Sequence, residues 1–225
     1  MVSQTNNLLY AINTAANTVV NVFATGTAPV SVAVSGDGRF VYVANTFDNT
    51  VTRFDTFNGF ATTNIPVGNA PTVIAVSDAS GKIYVNSVFS NDLTIINPSD
   101  LTTTTATFNA PVASIGPCPC STKLYVGLAD NTTAQLLTAT DTVIPTPIPA
   151  LGTGGMGITP NGATAWAVSL GSSSVTVVNT LTNQIVDNVA TTGVSFAGNA
   201  FVTFQGDSPT AFVPETFSGS LMVLK

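Results

Sequence analysis

A chain of 225 residues with 44% hydrophobic content is long enough to bury a full core in one sizeable domain. Only 7% of its residues are charged, the formal net charge is -6, and its five basic residues, Arg39, Arg53, Lys82, Lys123 and Lys225, stand singly. That excludes the cationic surface that nucleic acid or an anionic membrane face requires, and no run approaches the roughly 18 apolar residues of a membrane-spanning helix.

The first residues, Met1 to Thr5, carry neither the basic nor the apolar region of a secretory leader. Few charges and many Thr and Asn nevertheless suit an exported β protein. The expectation is an extracellular or cell-surface protein whose leader is absent from this chain.

In chain order, residues 8–13 and 18–23 read as two strands. A recurring block then begins. Val30-Ser31-Val32-Ala33-Val34 is followed by the turn Gly36-Asp37-Gly38 and by Val41-Tyr42-Val43-Ala44-Asn45. A polar loop leads to Thr50-Val51-Thr52-Arg53-Phe54-Asp55, then to Thr63-Asn64-Ile65-Pro66-Val67 and the connector Gly68-Asn69-Ala70-Pro71. Alternation and β-branched content predict strands, and Asp-Gly and Asn-Gly pairs predict hairpins because they tolerate positive φ. No useful length shows helical periodicity.

The block recurs around Tyr84, Tyr125, Trp166 and Phe212, at successive spacings of 42, 41, 41 and 46 from Tyr42 onward. Each aromatic is followed nine residues later by the expected start of a third strand: Val51, Leu93, Ala134, Val175 and Leu221. A period near 40 with four short strands per unit is that of propeller blades. The prediction is an all-β chain, a β-propeller of about five four-stranded blades forming a single domain over residues 1–225.

The pattern Val-Tyr-Val-Ala-Asn, a polar loop, Asn-Thr-Val, then Gly-x-Ala-Pro and Val-Ser-Gly-Asp-Gly resembles the YVTN (YncE-like) β-propeller repeats. Those occur in bacterial and archaeal extracytoplasmic and surface-layer proteins. The resemblance spans nearly the whole chain and is weakest in the unit of Tyr125, where Cys118-Pro119-Cys120 replaces the hairpin turn. It implies the fold and says little about function, because one fold hosts many roles.

Counting back, Leu9 matches Val51, so the N-terminus supplies third and fourth strands only. The C-terminus supplies first, second and third strands. The expectation is closure through a blade shared by the two ends, with residues 18–23 as its outer strand. Residues 8–13 are then a surplus strand, and the alternative is a piece of a larger ring or longer surface protein whose open edges favour self-association.

The chain has no His, so Ser-His-Asp and Cys-His catalysis, His-ligated haem and most transition-metal sites are excluded as normally built. Asp37, Asp78, Asp207, Asp55, Asp100 and Asp141 fall at turns and read as turn formers. Cys118 and Cys120 have the reach for a local or intermolecular disulfide, with two free thiols as the alternative; two thiolates alone make half a zinc shell. Phe47, Phe89 and Phe217 share one repeat position, in the loop between second and third strands, where Asp130 and Gly171 stand in the other units. Together with Asp48, Asp92, Asp130 and Glu215 they make a candidate aromatic and acidic ligand-binding rim; the alternative is that each Phe packs between blades.

These readings converge on a non-catalytic, secreted or surface-exposed module that binds a glycan or protein or builds an assembly, with no cofactor, no metal and no catalytic residue. The alternatives are a propeller-fold hydrolase such as a lactonase or glycosidase, and a structural segment of a surface-layer protein.

Overall fold

A computed structural model describes residues 1–88, 90–117, 123–149, 154–169, 174–190, 203–204, 211–214 and 221–224. Cys118, Cys120, Phe89, Gly171, Asp207, Glu215 and Phe217 lie outside the described residues. Among the described residues every regular element is a β-strand, in six consecutive sheets. Sheet 1 holds β1 (Val2–Ser3), β2 (Leu8–Asn13) and β3 (Thr18–Ala24). Sheet 2 holds β4 (Pro29–Val34), β5 (Phe40–Asn45), β6 (Thr50–Asp55) and β7 (Ala61–Pro66). Sheet 3 holds β8 (Ile74–Val76), β9 (Ile83–Asn86), β10 (Asp92–Ile96) and β11 (Thr103–Thr107). Sheet 4 holds β12 (Val112–Pro117), β13 (Lys123–Leu128), β14 (Thr133–Leu137) and β15 (Thr142–Ile148). Sheet 5 holds β16 (Gly155–Ile158), β17 (Thr164–Ser169), β18 (Ser174–Asn179) and β19 (Ile185–Ala190), and sheet 6 holds β20 (Thr203–Phe204), β21 (Ala211–Pro214) and β22 (Leu221–Leu224). In every sheet the strands lie in chain order, so each is an up-and-down meander of the kind that builds propeller blades.

The chain divides into two compact units, residues 1–76 with 81–105, and residues 77–80 with 106–225. In the first, Leu9 of sheet 1 packs with Val43 and Phe54 of sheet 2, where Phe23 stacks on Phe60 at 4.1 Å between ring centroids. Tyr42, Val51 and Ile65 of sheet 2 pack with Ile74, Ile83 and Val85 of sheet 3. In the second, Tyr125 and Ile148 of sheet 4 pack with Met156, Ile158 and Ala165 of sheet 5. The layers between sheets are filled by alternate side chains of the middle strands, as a pleated ribbon requires.

The repeated aromatics fall on the second strand of sheets 2 to 6, and the register explains their spacing. Opposite Tyr42, Tyr84, Tyr125, Trp166 and Phe212 on the first strand stand Ala33, Ala75, Gly116, Gly157 and Thr203. In the first four of these pairs a small residue across the ladder leaves room for a ring on the same face. At Gly116 a Cβ would come within 2.8 Å of Met156 Cγ, so the side chain is excluded by the neighbouring sheet. The turns between third and fourth strands also repeat: Asn17, Gly59, Leu101, Asp141 and Asn183 all have positive φ. Asn, Asp and Gly meet that demand cheaply, and Leu101 does not.

One expectation is corrected. The offset of nine does not mark one register throughout. Val51 pairs with Ala44, Leu93 with Asn86 and Val175 with Val168, whereas in sheet 4 it is Thr133 that pairs with Gly127. The second hairpin of sheet 4 is one residue tighter, so Ala134 takes the place of Thr52 and Gln135 that of Arg53. Among the described residues the strands at each end of the chain form their own ladder. Residues 2–3 add to β2, the surplus strand becomes the middle of sheet 1, and the N-terminal amine donates to Tyr10 O at 3.1 Å. Sheet 6 is a separate three-stranded ladder.

Three of the aspartates read as turn formers, Asp37, Asp55 and Asp100, make hydrogen bonds within their turns. Asp37 accepts from Ser35 Oγ and from Arg39 N, and Asp100 accepts from Thr102 N and Thr102 Oγ1. Asp55 accepts both Arg39 Nε at 3.3 Å and Nη2 at 3.0 Å, and Phe57 N. The hydrogen bond from Ser35 to Asp37, that from Arg39 to Asp55 and that from Thr102 N to Asp100 hold the three carboxyls below the usual carboxylate range.

Candidate binding grooves beside the connector loops

One groove type recurs where the connector between sheets meets the loop between second and third strands. Three repeats furnish it differently, and the residues that floor it decide whether it is open.

In sheet 2 the floor is tied together by the chain's own side chains. Asn45, at the end of β5, donates from Nδ2 to Thr50 Oγ1 at 3.1 Å and Thr52 Oγ1 at 2.8 Å, and Thr52 Oγ1 donates to Asn64 Oδ1 at 2.9 Å. Asp48 accepts the connector amide of Thr27 at 2.6 Å. The connector passes so close that a Cβ on Gly26 would lie 2.5 Å from Asp48 Oδ2 and 2.7 Å from Asn45 Cγ.

In sheet 3 the position of Asn45 is taken by Ser87, and that of Thr52 by Thr94. The shorter Ser87 leaves a cavity of about 470 Å³, lined among others by Gly68, Asn69, Ser87, Ser90, Asp92 and Thr94. Thr94 Oγ1 accepts from Gly68 N at 3.2 Å, and Ser90 Oγ donates to Asp92 Oδ2 at 3.1 Å. Ser87 is 2% exposed, and its Oγ has no hydrogen-bond partner among the described residues. A buried hydroxyl left so costs free energy unless water or a ligand completes it. A Cβ on Gly68 would overlap Ser87 Oγ at 1.9 Å, so glycine is what lets the connector run along this groove.

In sheet 4 the same two positions hold Leu128 and Ala134. The cavity shrinks to about 250 Å³ and its floor becomes apolar, with Asp130 at the rim. Asp130 accepts from Thr132 N and Thr132 Oγ1, a local turn.

Of the expected aromatic and acidic rim, Phe47, Asp48, Asp92 and Asp130 are among the described residues. Phe47 is 74% exposed. Asp48 caps a connector, Asp92 lines the sheet 3 groove and Asp130 the sheet 4 groove. Ser87, Ser90 and Thr94 were missed by the sequence reading. A comparison of Asn45 with Ser87, one repeat apart at the end of a second strand, would have flagged the difference, though not the cavity it leaves.

These meanders and their repeated connectors define an all-β, β-propeller-like protein. Among solved structures the chain is similar to a chain of hydrazine synthase from Kuenenia stuttgartiensis, at 15% identity over 99% of this chain and 90% of that one, with a TM-score of 0.63. It is similar too to a functionally unknown protein from Desulfotomaculum acetoxidans, at 14% identity over 100% of this chain and 77% of that one, with a TM-score of 0.80. At such identities the likeness carries the fold alone. No family model and no curated protein matches the sequence.

Proposed function

We propose that this chain, a repeat protein of the YVTN type, is a non-catalytic binding module exposed outside the cell, and that the sheet 3 groove holds a glycan. The observation that carries the proposal is the buried, unpartnered Ser87 Oγ in a groove rich in hydroxyls. Ser87, Ser90 and Thr94, with Thr103 and Thr105 on β11, offer donors and acceptors to sugar hydroxyls, while Pro66 and Val67 offer apolar surface to ring C–H groups. Asp92 is the one carboxylate among the groove's lining residues, where glycoside hydrolysis ordinarily uses a pair. Its oxygens suit it to accept sugar O–H groups.

A glycan array probed with the purified chain tests this, followed by titration of any hit into Ser87→Leu and Asp92→Asn. Both variants should weaken binding about tenfold or more, the cost of one or two lost hydrogen bonds. Unchanged affinity in both would remove the groove from the reading.

A further inference from the structure

A second cavity lies in the other unit and has a different chemistry. In sheet 4, β14 pairs with β15 through Gln135↔Ile144 and Thr133↔Ile148. Two steps on β14 thus oppose four on β15, and the two surplus residues swell the outer strand around Pro145, Thr146 and Pro147. Proline has no N–H to give a ladder, so it suits such a bulge. In sheet 2 the corresponding pairing runs without interruption from Thr50↔Pro66 to Asp55↔Ala61. Beside the bulge, and lined in part by Gln135, lies a cavity of about 350 Å³, within the range of small-molecule sites.

Gln135 stands opposite Tyr125, where the other sheets place Arg53, Ile95, Val177 and Val223 opposite their aromatics. A carboxamide here is 1% exposed, and its Oε1 has no hydrogen-bond partner among the described residues. An isoleucine or valine would pack without that cost, so the glutamine calls for a use. Around it lie Asn183, Gln184, Thr146, Pro147 and Pro149. Asn183 is held in place by Tyr125, whose hydroxyl donates to Asn183 Oδ1 at 3.2 Å and to Thr180 O at 3.1 Å.

We infer that this cavity is a binding site for a single neutral sugar residue, with Gln135 as its buried anchor. Three carboxamides and a threonine hydroxyl supply both donors and acceptors, and the unpartnered Oε1 needs a donor, which a sugar hydroxyl provides. None of the lining residues is ionisable, so a charged ligand would be desolvated with no counter-charge. The proline rings and Ile185 present C–H surface of the kind that a pyranose face covers. The site does not depend on the groove over Ser87.

The test is a titration of the isotope-labelled full chain with glucose, galactose, mannose and N-acetylglucosamine, followed through the side-chain amide signals of Gln135, Asn183 and Gln184. At least one sugar should shift all three signals saturably. Gln135→Ile, which installs the residue found in sheet 3, should weaken that binding about tenfold or more, one or more lost hydrogen bonds, and melt no earlier than the parent. Gln184→Ala, at an exposed position, should weaken binding with no change in melting. Asp92→Asn should leave this site's affinity unchanged, which separates it from the sheet 3 groove. Signals unmoved by every sugar, or full affinity in Gln135→Ile and Gln184→Ala alike, would overturn the inference and leave the Gln135 oxygen to a buried water.

Discussion

Sheets 2 and 3 are built on one plan, yet sheet 2 ties the floor of its groove together and sheet 3 leaves it open. Both put a fully buried tyrosine on the second strand, Tyr42 and Tyr84, and both run a glycine connector, Gly26 and Gly68, past the end of that strand. One difference lies at the end of the second strand. Asn45 reaches two threonine hydroxyls and ties the second strand to the third, whereas Ser87 reaches none and opens a cavity. Neighbouring repeats can therefore share a backbone and divide labour. The tyrosine register holds the fold, and the residue three positions further along the strand decides between internal glue and an accessible site.

The largest effect should come from breaking what the two sheets share. Tyr42→Ala and Tyr84→Ala should each cost about 3–5 kcal/mol in chemical denaturation, as for other buried aromatics cut to alanine. A loss under about 1 kcal/mol in either would mean that the rings are not filling the layers. Exchanging the residues that differ should have a smaller effect with opposite signs in function. Asn45→Ser removes two hydrogen bonds and should cost about 1–2 kcal/mol. Ser87→Asn should keep or raise stability, since the Gly26–Asn45 pairing shows that a glycine connector accommodates asparagine, and it should abolish ligand binding in the sheet 3 groove. If Ser87→Asn binds as the parent does, the open groove is not the site.

The smallest effect should be that of acid on the turns. Asp37 and Asp55 flank sheet 2 and Asp100 follows sheet 3, each held below the usual carboxylate range by hydrogen bonds to its charged form. A carboxyl depressed in the folded state stabilises it at pH above its unfolded value, and that contribution is lost as pH falls through the folded value. The melting temperature should thus hold between pH 7 and about 5 and decline below about pH 4. Because these groups are near the surface, the decline should be shallow, and Asp55→Asn should flatten it further. A melting temperature that rises on acidification would contradict the assignment.

The repeat, its all-β nature and its aromatic register were legible in the sequence, because strand formation and hairpin turns depend on short-range patterns that recur every 41 to 46 residues. The turn roles of Asp37, Asp55 and Asp100 were legible for the same reason: an aspartate that caps its own turn needs only its neighbours in the chain. Three things waited for the tertiary structure. The tighter hairpin of sheet 4 shifted Gln135 into the place opposite Tyr125, and an offset counted along the chain does not register which pairs actually hydrogen-bond. The sheet formed by residues 2–24 depended on β1 finding β2, a choice between competing edges. The grooves themselves arise where a connector, a loop and an outer strand meet, so whether Ser87 or Gln135 finds a partner depends on atoms contributed from well outside their own strands. Composition sets which side chains are present, but an orphaned oxygen is a property of packing alone.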